Sequence, residues 1–189
     1  MPAHYLALAR GLRYIAGTLD RGLIFDGSRG LDLEVFKDAS FAKEIQVDAN
    51  GCAKSRSGFV IMLCGAAIVA ASSRQTPVAL STPEAEVYAL TLCTRAVLCA
   101  RRLLSFMLGT SLPPTVVFED NDTVIKQLKR RDLTARARHL VLNFGFLLKA
   151  QDDGGIRVKW KATDEMAADM FTKMDYKSFR RFADYVSGN

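Results

Sequence analysis

Residues 58–71, GFVIMLCGAAIVAA, constrain the fold more than any other stretch, because they carry no charged side chain and break only at Cys64–Gly65. A helical membrane span needs about 20 apolar residues, so this run is too short to cross a bilayer. Gly58–Leu63 and Ala67–Ala71 are rich in residues that favour strands, and Cys64–Gly65–Ala66 between them reads as a tight turn. The segment therefore predicts a buried β-hairpin. A hairpin this apolar needs a larger sheet and covering helices to hide it.

The rest of the chain supplies them. Residues 3–16 repeat Tyr5, Leu8, Leu12 and Ile15 at helical spacing, with Gly17 as a stop, and Leu23–Phe25 reads as a short strand before the glycine-bearing turn at 27–30. That turn divides an N-terminal appendage from the main domain. Beyond it, Leu31–Phe36 is a strand, with Asp38 just past its end, and the hairpin follows. A long helix is expected from Ser81–Thr82 to Leu108, stopped by Gly109 and Pro113–Pro114. Val116–Phe118 and Ile156–Trp160 read as strands, and Asp122–Leu128, Arg138–Ala150, Asp164–Thr172 and Lys177–Val186 as helices. Three antiparallel strands followed by alternating helix and strand specify an α/β fold. Its expected form is a five-stranded mixed sheet, the later strands parallel, with helices on both faces.

At 189 residues the chain can fill one core of ordinary size. A formal charge of +6 and an isoelectric point near 9.3 favour a polyanionic partner. Cys52, Cys64, Cys93 and Cys99 form no CxxC pair, and with only His4 and His139 available a structural zinc site is not expected. With no secretory leader pattern in residues 1–20, the cysteines read as reduced, intracellular and mostly buried thiols.

Four acids carry the chemistry. Asp38 and Asp120 each follow an apolar strand, where ligands gather in α/β sheets; either alone would also serve as an ordinary turn residue. In the long helix, Ser81 and Glu84 fit a capping box, with Glu84 reaching back to the Ser81 amide. Counting on from Glu84 gives Tyr88, Thr91 and Arg95, a largely polar face. Counting on from Glu86 gives Ala89, Leu90, Cys93 and Val97, the stripe that must face the sheet. A carboxylate on that stripe is costly without positive compensation, which a metal ion would provide. Glu86 is thus the functional residue of the two. Asp169 lies on the rim of the apolar face of its helix and gains meaning only from the other three. Clustered carboxylates suit hard divalent cations, and two such ions can promote phosphodiester cleavage. The sequence has no GxxxxGK[ST] loop, and it suggests no Ser–His or Cys–His nucleophile pair.

KDASFA (37–42), SRSGFV (55–60), ALSTPEAEVYAL (79–90), FEDNDTVI (118–125) and ADMFTK (168–173) occur in an informative order and spacing. Together they resemble the ribonuclease H domain of copia-type retrotransposon polyproteins, whose blocks read approximately DAD-W-A, STSG, ALSSTEAEY-AL, CDN-A and ADIFTK. The resemblance implies a ribonuclease H-like fold over residues 28–175 and a C-terminal helix at 176–189. It implies that residues 1–27, including LRYIAGTLDRGLIF (12–25), are the tail of the upstream reverse transcriptase. It further implies that Asp38, Glu86, Asp120 and Asp169 are catalytic and bind two Mg²⁺ ions, with Mn²⁺ able to substitute, and that the RNA strand of an RNA–DNA hybrid is hydrolysed. The expected partners are that hybrid and the upstream reverse transcriptase, with no membrane, in the cytoplasm or in the nucleus with the element.

Two departures stand out. Lys161-Ala162-Thr163-Asp164 replaces the loop in which many cellular relatives carry a histidine. Phe36–Lys37 replaces small or polar residues before Asp38. Strand alternation sends the Lys37 side chain to the face opposite Asp38, so Lys37 is not expected to neutralise the site.

Lys126, Lys129, Arg130, Arg131, Arg136, Arg138 and His139 fall close together, joined by Arg101, Arg102, Arg157, Lys159 and Lys161. They read as a solvated helix face or, beside an acidic site, as a rail for phosphates, with Lys126, Lys129, Arg130, Arg136, Arg138 and His139 as the nucleic-acid contacts. Recognition would then depend on hybrid shape and the 2′-hydroxyl. Trp160 and Phe118 read as core residues. Rival readings are a non-catalytic nucleic-acid-binding or interaction module on the same fold, and a DNA-cutting relative such as an integrase, which the order of the acids disfavours.

Overall fold

The computed structural model describes residues 3–42, 54–133, 135–173 and 176–188. Five strands form one sheet in the order β3-β2-β1-β4-β5: β1 is Glu34–Ser40, β2 Arg56–Leu63, β3 Ala66–Arg74, β4 Thr115–Glu119 and β5 Ile156–Trp160. The β1–β2 and β2–β3 pairs are antiparallel, and β1–β4 and β4–β5 are parallel. The helices are α1 (Ala3–Ala16), α2 (Thr82–Leu108), α3 (Asp122–Arg130), α4 (Val141–Asp152), α5 (Asp169–Thr172) and α6 (Tyr176–Ser187). The mixed sheet with helices on both faces matches the expected fold.

Strand alternation sorts the core into two layers. Val35, Phe59, Ile61 and Val117 pack with Leu90, Cys93 and Val97 of α2 and Phe144 and Leu147 of α4. Phe36, Val60 and Met62 pack on the other face with Met166, Ala167, Ala168 and the α6 residues Phe182 and Val186. In β1 this places Val35 and Lys37 toward α2, and Phe36 and Asp38 toward α5.

Several boundaries differ from the sequence reading. Asp38 lies inside β1 instead of past its end, since neither polar residue of Lys37–Asp38 interrupts pairing with β2. The hairpin turn is Cys64–Gly65, both at positive φ (52° and 83°), the geometry that suits strand twist. Only half of that hairpin is buried: β2 is covered on both faces, whereas the edge strand β3 exposes Ile68 and Val69. Leu23–Phe25 is not a strand; Ile24 N–H instead donates to Ser187 O, and Asp26 N–H to Cys64 O, both at 2.8 Å. The expected helix 164–172 splits into a 3-10 turn at Thr163–Glu165 and the single turn α5. Likewise, residues 138–140 end a 3-10 segment before α4 begins. Of the described cysteines only Cys93 is buried, Cys64 being intermediate and Cys99 exposed; Cys52 lies outside the described residues. Burial pushes the Cys93 thiol up to about 12. Trp160 is 58% exposed and therefore not a core residue, because it ends the edge strand β5. Among the described residues no helix is long and apolar enough to cross a membrane.

The docking of α5 on the sheet depends on Gly58, which pairs with Asp38 across β1–β2. A Cβ there would lie 2.6 Å from Thr172 Cγ2 and 2.8 Å from Phe171 Cβ. The missing side chain lets the last helical turn before Lys173 sit directly over Asp38. Gly58→Ala should cost about 1–3 kcal/mol by overpacking, measured by urea unfolding. A change below about 0.5 kcal/mol would show that α5 does not depend on this close approach.

Candidate metal centre

Ser81 starts α2 and so sets the phase that aims Glu86 at the sheet. Its Oγ accepts from Glu84 N–H at 3.4 Å, while Glu84 Oε2 accepts from Leu80 N–H at 2.7 Å, one residue earlier than a simple capping box requires. Glu84 is itself buried and lies 3.3 Å from His139 Nε2, so its face of the helix is less polar in place than its spacing suggested. Glu86, two residues on, is 3% exposed and points between α2 and β1. On β4, Asp120 follows the last strand residue. Asn121 then caps α3, its Oδ1 accepting from Thr123 and Val124 N–H at 3.0 and 3.3 Å.

Asp38, Glu86 and Asp120 converge. One carboxylate oxygen from each lies within 4.8 Å of the others. Asp169 is not in that set, but it is buried beside it: the charges of Asp38 and Asp120 both act on its carboxyl. Each acid has one oxygen held by a side chain. Thr172 Oγ1 donates to Asp38 Oδ2, Lys37 Nζ to Glu86 Oε2 at 2.6 Å, Thr163 Oγ1 to Asp120 Oδ2 at 2.9 Å, and Lys173 Nζ to Asp169 Oδ2. Thr163 belongs to the loop without a histidine, which therefore reaches the cluster through a hydroxyl.

Lys37 overturns one expectation. Its side chain does leave the sheet opposite Asp38, but that face is where Glu86 descends from α2. The ammonium is fully buried, paired with Glu86 and with Glu119 Oε2. Glu119 is also fully buried, and its Oε1 accepts from Asn121 N–H at 3.0 Å. Burial alone would discharge Lys37; Glu119 and Glu86 outweigh it and hold its pKa above the ordinary value. Burial pushes the Glu86 carboxyl above its ordinary value, opposed by Lys37 and reinforced by Glu119 and Asp38.

The set fits a hard divalent cation on two grounds. Every donor is a carboxylate oxygen, the chemistry Mg²⁺ and Mn²⁺ take. Further, Asp169 Oδ1 is buried with no hydrogen-bond partner, a costly state that a cation would relieve.

The basic residues divide. Lys126, Lys129, Arg130, Arg138 and His139 are exposed, and the side chain of Arg136 lies outside the described residues. Lys126 pairs with Asp122 at 2.7 Å, and His139 lies against the first turn of α2. Arg101 is no part of a rail: its guanidinium binds the carbonyls of Leu112, Pro113 and Gly154 and Thr115 Oγ1, tying α2 to the starts of β4 and β5. Sequence reading missed Lys37, Glu119, Thr163, Thr172 and Lys173 as members of the site, although alternation along β1 and β4 places Lys37 and Glu119 on the face that α2 covers.

Burial raises Asp169 from its ordinary 3.8 to about 6, with Lys173 opposing and Asp38 and Asp120 adding to the rise. Because the folded value exceeds the unfolded one, the stability gained from the protonated form is complete below about pH 4. It is lost as pH rises through 6. In chelator, Asp169→Asn should therefore gain thermal stability relative to the parent as pH is raised from 4 to 7. Parallel melting-temperature profiles for the two chains would contradict this.

No family model matches the chain. It is 33% identical over 171 residues to the retrovirus-related Pol polyprotein from transposon TNT 1-94 of Nicotiana tabacum, covering 90% of this chain and 12% of that protein. It is 28% identical over 182 residues to the corresponding polyprotein from transposon RE2 of Arabidopsis thaliana, covering 95% of this chain and again 12% of the relative. The chain thus spans about 12% of the length of the curated relatives it matches. Among solved structures, LC11-RNase H1, isolated from compost by a metagenomic approach, aligns with a TM-score of 0.54 at 14% identity, covering 75% of this chain and 93% of that one. The same enzyme in complex with an RNA/DNA hybrid aligns at 0.52 with 12% identity, covering 74% and 93%. The chain is a homologue of the Pol polyproteins of plant copia-type retrotransposons, and the stretch they share carries the ribonuclease H fold.

Proposed function

We propose that the chain is an endoribonuclease that hydrolyses the RNA strand of RNA–DNA hybrids during retrotransposon reverse transcription, using two Mg²⁺ ions held by Asp38, Glu86, Asp120 and Asp169. The observation that carries this reading is the convergence of three carboxylates within 4.8 Å at the neighbouring strands β1 and β4, with the orphaned oxygen of Asp169 beside them. Kinship with Pol polyproteins and the hybrid-bound structure of the same fold support the choice of substrate.

The ions would stabilise the attacking and leaving oxygens of an in-line displacement. The chain's own part is to position the acids. Thr172, Lys37, Thr163 and Lys173 each restrain one oxygen of an acid, which fixes the direction of the other. In the reaction, water adds to the phosphorus and the bond to the 3′ oxygen breaks, leaving a 3′-hydroxyl and a 5′-phosphate. Lys126, Lys129, Arg130, Arg136, Arg138 and His139 would hold the backbone phosphates of the hybrid. The upstream reverse transcriptase is the expected covalent partner.

A second reading, a non-catalytic module on this fold, draws on one observation: Glu86 already has a cation, Lys37, at 2.6 Å. Labelled hybrid and duplex DNA incubated with Mg²⁺ separate the two. The nuclease reading expects cleavage of the RNA strand alone. Asp120→Asn should reduce that cleavage at least about 100-fold while leaving the circular dichroism spectrum unchanged. Cutting by the Asn variant at the parental rate would remove Asp120 from the site.

A further inference from the structure

Two lysines pair with acids of the cluster, and they differ in freedom. Lys173 ends a short helix, its side chain 27% exposed, and needs only to swing outward to release Asp169. Lys37 has no such route. Its side chain is 0% exposed, it extends from a central strand, and Glu119, itself 0% exposed, holds the ammonium as a second counter-ion beside Glu86. Glu119 is fixed in turn by Asn121 N–H at 3.0 Å, in the turn that begins α3 directly after Asp120. Adjacent parallel strands thus carry a lysine and a glutamate immediately before the two acids of the cluster, as a buried pair. Removing Lys37 alone would leave Glu119 as an uncompensated buried charge, whereas removing Glu119 leaves Lys37 with Glu86 as its counter-ion.

We infer that Lys37 is a permanent internal cation that competes with divalent metal for Glu86, so that the site stays assembled without metal and binds metal more weakly than the same four acids would alone. This rests on the metal-site reading above. Lys37 is a positioning residue: it touches Glu86 and not the substrate. The physical reason is that two cations sharing one carboxylate repel each other, and little solvent is present to screen them. Glu119 offsets part of that repulsion. Of the pair only Lys37 bonds an acid of the cluster, at 2.6 Å to Glu86, so the pair meets the site through its positive member.

The pair makes two substitutions act in opposite directions. Lys37→Met with Glu119→Met leaves net charge unchanged, removes the positive end and strands neither member of the pair, while the buried Glu86 loses its lysine partner. Glu119→Gln keeps the shape and the Lys37 ammonium but removes the offset. Titrating Mn²⁺ into each chain by calorimetry, without nucleic acid, should show the double variant binding about tenfold tighter than the parent and Glu119→Gln about tenfold weaker. Thermal melts in chelator establish that each variant is folded. Weaker or unchanged binding by the double variant overturns the inference. Should the double variant not fold, Glu119→Gln decides alone: unchanged or tighter binding overturns it. A parent chain that binds no Mn²⁺ overturns the metal-site reading, and this inference with it. A parent that binds, with variants that do not shift as stated, overturns this inference only.

Discussion

Bringing three carboxylates within 4.8 Å of one another, largely out of water, sets the condition the rest of the structure has to meet. Like charges so placed repel strongly, and burial adds a desolvation cost to each. The protein meets that cost from three sides: Lys37 from the α2 face of β1, Lys173 from the end of α5, and the hydroxyls of Thr163 and Thr172 from the surrounding loop and helix. Gly58 and the two caps that start α2 and α3 are the backbone features that allow those groups to arrive together.

The architecture follows from how the two faces of one strand are used. In β1, Asp38 looks toward α5 and Lys37 toward α2, so consecutive residues serve opposite layers of one site. Glu86 reaches the cluster from α2 because a 27-residue helix with small side chains at Ala85 and Ala89 can lie close on the sheet. The same closeness puts Glu86 within reach of Lys37. The site and its internal countercharge are therefore consequences of one packing arrangement.

Much of this could be read from the sequence. The two periodicities identified the sheet and its covering helices, and helical phase chose Glu86 over Glu84 because only one of them shares a face with Leu90, Cys93 and Val97. What escaped was tertiary. Lys37 and Asp38 looked like the end of a strand because charged residues rarely continue one, yet partners distant in sequence bury both. Lys37 had the correct side of the sheet assigned to it, but the consequence required placing Glu86 on that same side. The strand expected to end at Phe118 likewise excluded Glu119, which lies inside β4. The break between Thr163–Glu165 and α5 was hidden because Met166, Ala167 and Ala168, all fully buried, keep a helix-like composition through a segment that is packed rather than helical.

The central claim is that these acids form one seat for divalent metal. Anomalous diffraction from crystals grown with Mn²⁺ tests it most directly, since it locates the ion without reference to activity. The account requires a manganese peak in coordination contact with oxygens of Asp38, Glu86 and Asp120, with Lys37 still on the far oxygen of Glu86. A saturating soak that leaves those three carboxylates without a peak, or places manganese elsewhere on the molecule only, would contradict it.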